Sequence, residues 1–179
     1  MSWVPRISVS ALAILIFAQL ISIEAAYSDS DEVLLSKENK LKAAYFFNFI
    51  KFIDWPHHSS NSPLTPLHIC LQDGTSFENF FRDLVEKKST ANSEPKLKIQ
   101  RLSEADYCDY TYLHKTFLGE SLNMEGNVIV LESKQISQKG ASIVFFITDR
   151  KVRFEIDLNN IHKNQVAVSS ELLKLAKIK

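Results

Sequence analysis

Glycine is scarce in this chain. Four occur in 179 residues, no two of them close together. A phosphate-cradling loop of the GxGxxG or GxxxxGKS/T kind is therefore absent. Charge of one sign is lacking too: Lys plus Arg and Asp plus Glu each number 21. Without a basic surplus, the composition gives no support for a nucleic-acid partner. HExxH and GxSxG do not occur, so neither a zincin nor an α/β-hydrolase elbow is present. His57-His58 is the one adjacent histidine pair, and no third ligand follows at a metal-binding spacing. No metal and no cofactor are expected. His68 and His114 fall on expected strands, where a hydrogen-bonded structural role suits them. Cysteine is limited to Cys70 and Cys108.

The N-terminus does carry information. Arg6 precedes an apolar run from Ile7 to Ile23, and Glu24-Ala25-Ala26 then leads into a polar AYSDSDE. That is the layout of a secretory signal peptide, residues 1–26. The competing reading is a retained N-terminal anchor, because the run is as long as a short membrane span. Either way, Tyr27 to Lys179 lies outside the cytosol. Residues 27–40 form a spacer, acidic over its first part, and 41–179 form one domain of ordinary length. Twelve phenylalanines and 45% hydrophobic residues are enough for a core without disulfide staples. Two cysteines in an oxidising compartment make a disulfide the default, closing a loop of roughly 40 residues. The alternative is a pair of buried free thiols.

Periodicity gives an α/β domain with a mixed sheet of about six strands flanked by helices. A helix is expected from Ser36, as its cap, to Ile53. Its second half, AAYFFNFIKFI, is apolar on nearly every face and must be buried or lie at an interface. Core packing suits it better than a membrane surface, because a basic polar face is missing. Strands are expected at Pro66–Leu71, Leu97–Leu102, Tyr110–Leu113 and Val128–Leu131. Helices are expected at Thr75–Lys88 and around Phe117–Met124, with a helical turn near Ile136. Ser142–Thr148 and Lys151–Asp157 read as a hairpin around Asp149-Arg150. A short helix, Leu158–Lys163, a link at Val166–Val168 and a last helix, Ser170–Lys177, complete the chain.

These segments resemble the YfiR/HmsC family of periplasmic proteins. KAAYFFNFIKFIDWP, from Lys42, is similar to the family's KAAYLYNFxxFxxWP. LHICLQDGTSF and LSEADYCDYTYL place one cysteine on a strand and a second just before another. VRFEIDLNNIHKNQVAVSSELLKLAKI resembles the family's RFEIN strand and closing xISSxLLxLAKI. The chain departs from the pattern at Lys139-Gly140-Ala141, where Gly-Gly is usual, and at Asp157, where Asn is. It also has no further cysteine pair near the hairpin.

The resemblance implies a regulator and not an enzyme, with no catalytic residue. It implies a Cys70–Cys108 disulfide. The implied partner is the periplasmic part of an inner-membrane GGDEF diguanylate cyclase, whose repression lowers cyclic di-GMP. A homodimer is a second implied partner. The candidate partner-binding residues are Trp55, Phe154, Glu155, Asp157 and Asn159, the last four on an edge-like hairpin strand or just after it. An alternative function is a periplasmic ligand-binding sensor working with a transporter or sensor kinase. An unrecognised hydrolase is a third reading.

Overall fold

Five short segments of this chain pair into a parallel sheet, and two helices, the first of them rich in aromatic residues, cover one face of it. The computed structural model describes residues 35–55, 65–88, 96–115, 117, 126–132 and 140–179. The signal segment, His57-His58, the turn near Ile136 and all but the first residue of the expected Phe117–Met124 helix lie outside these. Asn39–Lys179 forms one unit.

The helix α1 spans residues 35–52. Ser36 therefore lies within it and does not cap it. Strand β1 (Ile53–Asp54) follows directly. Then come β2 (Leu67–Leu71), α2 (Ser76–Lys88), β3 (Leu97–Arg101), a single 3-10 turn (Leu102–Glu104), β4 (Tyr110–Leu113) and β5 (Val128–Glu132). The C-terminal part holds β6 (Ile143–Thr148), β7 (Lys151–Ile156), α3 (Leu158–Lys163), β8 (Ala167–Val168), α4 (Ser170–Leu173) and β9 (Lys177–Ile178).

The main sheet has seven strands in the order β3-β2-β4-β5-β6-β7-β9. The first five are mutually parallel, β7 is antiparallel to β6, and β9 is parallel to β7. The sheet is thus mixed, as expected, with one strand more. The extra strand corrects the C-terminus. The last helix ends at Leu173, and Lys177-Ile178 pairs with Glu155-Ile156. That short pairing was not legible because Leu172, Leu173, Leu175 and Ala176 imitate a helical face. It also means that β7 is not the sheet edge. A second, two-stranded sheet joins β1 to β8 in antiparallel register, Ile53 opposite Val168.

One face of the sheet meets α1 and α2. Phe46 stacks on Tyr110 with ring centroids 4.0 Å apart and meets Phe81 edge-on at 5.0 Å. Phe77 of α2 stacks on Tyr112 at 3.4 Å. Phe49 lies 4.8 Å from Phe154. Each buried aromatic contributes on the order of 1.5–3 kcal/mol by area alone. Thr75 caps α2 by accepting from the Glu78 amide at 3.2 Å, and Glu78 returns a bond to the Gly74 amide at 3.3 Å, close to a capping box. On the opposite face a smaller cluster gathers Leu113, Ile129, Leu131, Ala141 and Val144.

The hairpin turn Asp149-Arg150 has φ of 49° and 57°. Two positive values are what a two-residue type I′ turn requires. Glycine would meet that demand without strain; a side chain costs roughly 1–2 kcal/mol per left-handed residue.

Cys70 and Cys108 are joined, with Cα atoms 5.8 Å apart. Cys70 is opposite Thr111 in the β2–β4 register, so Cys108 precedes its strand. A bend at Asp106 turns the chain back. Asp109 then fixes it, its amide donating to the His68 carbonyl at 3.0 Å and its carboxylate accepting from the His68 amide at 2.8 Å. The two cysteines stand 38 residues apart, which in the chain-entropy account amounts to about 4 kcal/mol at most. Replacing both by Ala is expected to lower unfolding stability by about 2–4 kcal/mol in urea titrations. Thiol reagents should label neither residue in the native, unreduced protein; stoichiometric labelling of both would contradict the bridge.

Candidate functional site

Parallel α/β sheets present their binding chemistry at the carboxyl ends of the strands, where the strand order reverses. Here β2 has β3 on one side and β4 on the other, so the reversal lies between β2 and β4. The carboxyl ends of β2, β4 and β5 carry Gln72, His114 and Glu132. The first turns of α1 reach the same end and bring Asn39 and Lys42.

At the centre is a buried ion pair. Lys42 Nζ lies 2.5 Å from Glu132 Oε1, with the side chains 2% and 6% exposed. The Tyr112 hydroxyl donates to Glu132 Oε2 at 2.7 Å. His114 Nε2 stands 3.6 Å from the same oxygen, within ion-pair range but too long for a hydrogen bond. The Gln72 side chain accepts from the His114 amide at 2.8 Å and fixes the start of that loop. Asn39 donates to Ser76 Oγ at 2.8 Å, linking α1 to the first turn of α2. Its own Oδ1 is buried and has no hydrogen-bond partner among the described residues.

The electrostatics follow from this packing. Burial pushes the Glu132 carboxyl up, but the Lys42 bond and charge, then the Tyr112 hydroxyl, outweigh it and leave it below the ordinary 4.5. Burial, then the charge and hydrogen bond of Glu132, hold the Tyr112 phenol well above 10.0. His114 is held below its ordinary 6.5, chiefly by burial; Glu132 pulls it up, while Lys115 and Lys42 push it down. The result is an ionised carboxylate whose oxygens are engaged by an ammonium and a phenol. It ties α1 to β4 and β5.

The sequence offered a faint signal for this cluster. Lys42 stands at the start of the apolar run AAYFFNFI, and Glu132 ends the apolar strand VIVLE. A charge at the end of an apolar run is either exposed or paired, and only the fold shows which. The expectation for His114 changes in one respect: it lies just past β4 and not on it. His68, on β2, stacks against Tyr107 at 4.3 Å.

The five candidate partner-binding residues do not gather on one surface. Trp55 is 9% exposed, donates to the Ile50 carbonyl at 3.0 Å and meets Tyr110 edge-on. Phe154 is 4% exposed within the aromatic core. Glu155 is 6% exposed and pairs with Lys177 at 3.0 Å. Asp157 caps α3 by accepting from the Asn160 amide at 3.1 Å and pairs with Lys179 at 3.1 Å. Burial raises its carboxyl, but these bonds bring it below 3.8. Asn159 alone is exposed. The reason is the added strand: Lys177 and Lys179, on β9 and just after it, come back beside β7 and neutralise its acids.

Removing one partner of the buried pair leaves the other charge stranded. Lys42→Met is expected to destabilise the protein by about 3–5 kcal/mol. Lys42→Met with Glu132→Leu should recover much of that, because two apolar groups strand no charge. Urea unfolding of the two single variants and the double variant gives the comparison; equal losses in all three would refute the pairing.

The sign of the pH dependence is also fixed. The unfolded chain takes up a proton at His114 more readily than the folded one, so stability declines as pH falls below about 6.5. The Glu132 contribution is full above about 4.5 and is lost as pH falls through its lower folded value. His114→Asn should therefore flatten the mildly acidic part of the stability curve and leave the steeper acid limb. An unchanged mildly acidic slope would rule out His114 as its source.

No individual curated protein matches the sequence. The YfiR/HmsC-like family model matches residues 39–177. The matched span begins at Asn39, includes Lys42, Cys70, Cys108 and Glu132, and ends at Lys177, so it covers the sheet up to the first residue of β9. The chain belongs to the YfiR/HmsC-like family.

Proposed function

We propose that this protein is a periplasmic, non-catalytic regulator that binds the periplasmic part of an inner-membrane GGDEF diguanylate cyclase and represses it, lowering cyclic di-GMP. The family match over residues 39–177 carries this reading. The Cys70–Cys108 disulfide supports an oxidising compartment. The signal-like N-terminus supports export. Among the described residues no helix is long and apolar enough to cross a membrane, which suits a domain that acts on a membrane protein from outside it.

The geometry supports the non-catalytic part in a specific way. Glu132 and Lys42, the charged pair at the end of the sheet where ligands usually bind, are spent on each other. A regulator of this kind acts by presenting a surface, and a rigid surface favours affinity because little ordering is left to do on binding.

Deleting the gene is expected to raise cellular cyclic di-GMP, and restoring it in trans to lower it again. The exported protein should capture one GGDEF membrane protein by its periplasmic part. Unchanged cyclic di-GMP on deletion and on overexpression would overturn repression. Capture of a transporter or sensor kinase in place of a cyclase would favour the sensor reading.

A further inference from the structure

The β6–β7 ribbon reaches further than the sheet around it. The β5 pairing ends at Glu132 opposite Phe145, and β9 pairs only with Glu155 and Ile156 of β7. Among the described strands, Phe146–Thr148 and Lys151–Arg153 therefore pair only with each other. This projecting end holds Arg150, Lys151 and Arg153, all exposed, against one acid, Asp149. Five other cations of the domain, Lys42, Arg82, Arg101, Lys177 and Lys179, have carboxylate partners. The three at the ribbon end have none among the described residues.

Exposed apolar side chains lie toward the same end of the domain. Ile147, opposite Val152, is 45% exposed. Tyr45 of α1 touches Phe145 and Phe154, the preceding pair on the same face of the ribbon. Leu41, one turn before Tyr45 on α1, is 45% exposed. From that shared aromatic contact, the step along β6 to Ile147 and the step back along α1 to Leu41 both lead toward the carboxyl end of the parallel strands. By strand alternation Lys151 and Arg153 face away from Ile147. The ribbon is thus cationic on one side and apolar on the other, with Arg150 at its tip. The strained turn adds to this, because side chains are kept at two positions where glycine would relieve the backbone.

We propose that this end of the domain, formed by the Asp149-Arg150 turn with Lys151, Arg153, Ile147 and Leu41, adsorbs to the anionic headgroup surface of a phospholipid bilayer. Apolar side chains at the acyl boundary and cations among the phosphates are the two contributions such a surface takes. The unpaired cations sit where they can meet a diffuse field of negative charge. The attachment would hold the domain at the membrane independently of any protein partner.

The test is co-sedimentation of the exported protein with vesicles, either phosphatidylcholine alone or phosphatidylcholine with phosphatidylglycerol. Binding should require phosphatidylglycerol and weaken as salt is raised. Each cation near such a surface strengthens adsorption roughly fivefold, so Arg150→Glu with Lys151→Glu should reduce partitioning at least about tenfold. Ile147→Asp should reduce it as well, whereas Lys88→Glu with Lys98→Glu, the same charge change elsewhere, should have little effect. Thermal melts confirm that each variant is folded. The proposal is overturned if the wild type ignores anionic vesicles, binds neutral ones equally, or loses nothing in the ribbon variants. It is also overturned if those variants lose cellular repression while the wild type shows no vesicle binding, since the ribbon would then contact protein. No cyclase is present in the vesicle assay, so its outcome is independent of the proposed repression.

Discussion

The burial of the aromatic side of α1 against the sheet is the constraint on which the rest of the unit depends. Phe46 sits among Phe77, Phe81, Tyr110 and Tyr112, so one side chain joins both covering helices to the central strand β4. Two polar aromatic groups buried by this packing bond to α1 itself. The Tyr110 hydroxyl donates to the Phe46 carbonyl at 3.2 Å, and the Trp55 indole donates to the Ile50 carbonyl. The second bond also satisfies one of the last carbonyls of the helix, which have no partner within it. A helix so apolar has no stable position in water on its own; the sheet gives it one, and it gives the sheet a covered face.

Three devices hold that helix in place, and each uses different chemistry. Near its start, Lys42 is paired to Glu132. At its end, β1 pairs with β8 and the Ser169 amide donates to the Phe52 carbonyl at 2.8 Å, tying α1 to the C-terminal segment. Along its length, the rings fix its rotation. A buried ion pair is a poor source of net stability, because desolvation offsets most of the attraction. It is a good source of positional specificity, since sliding the helix by one turn would leave Glu132 without its cation. The aromatic packing supplies energy, and the ion pair selects the register.

Most of the elements were legible because their patterns have one reading. The face Phe77, Phe80, Phe81, Leu84 and Val85 marks α2, and Val152, Phe154 and Ile156 mark β7. The Asp149-Arg150 turn was located despite its unfavourable composition, because alternation on both sides leaves no other place for it. Failures came where a pattern is too short to carry a period. β1, β8 and β9 have two residues each and exist only because a partner is already in place. The site was less legible than the fold for a related reason. Lys42 and Glu132 are 90 residues apart, and nothing local tells a paired charge from a solvated one. The disulfide was the exception, because two cysteines allow only one pairing. Its geometry still needed the bend at Asp106, which is a tertiary feature.

The residues that carry the family likeness are, on this structure, mainly structural. Lys42, Phe46 and Trp55 in the first motif are buried, as are Phe154 and Glu155 in the last. Asp157 is occupied with capping α3. A motif built from such positions reports that the same core is present, because each of its residues answers to a neighbour inside the fold. It does not report which surface is used. Residues that meet a partner must be exposed and have no internal task. The charged ribbon end at Arg150, Lys151 and Arg153 meets both conditions and lies just before the RFEI segment of the likeness or at its first residue. The likeness therefore identifies the scaffold, and the search for what this scaffold touches belongs on the exposed positions that the scaffold does not need.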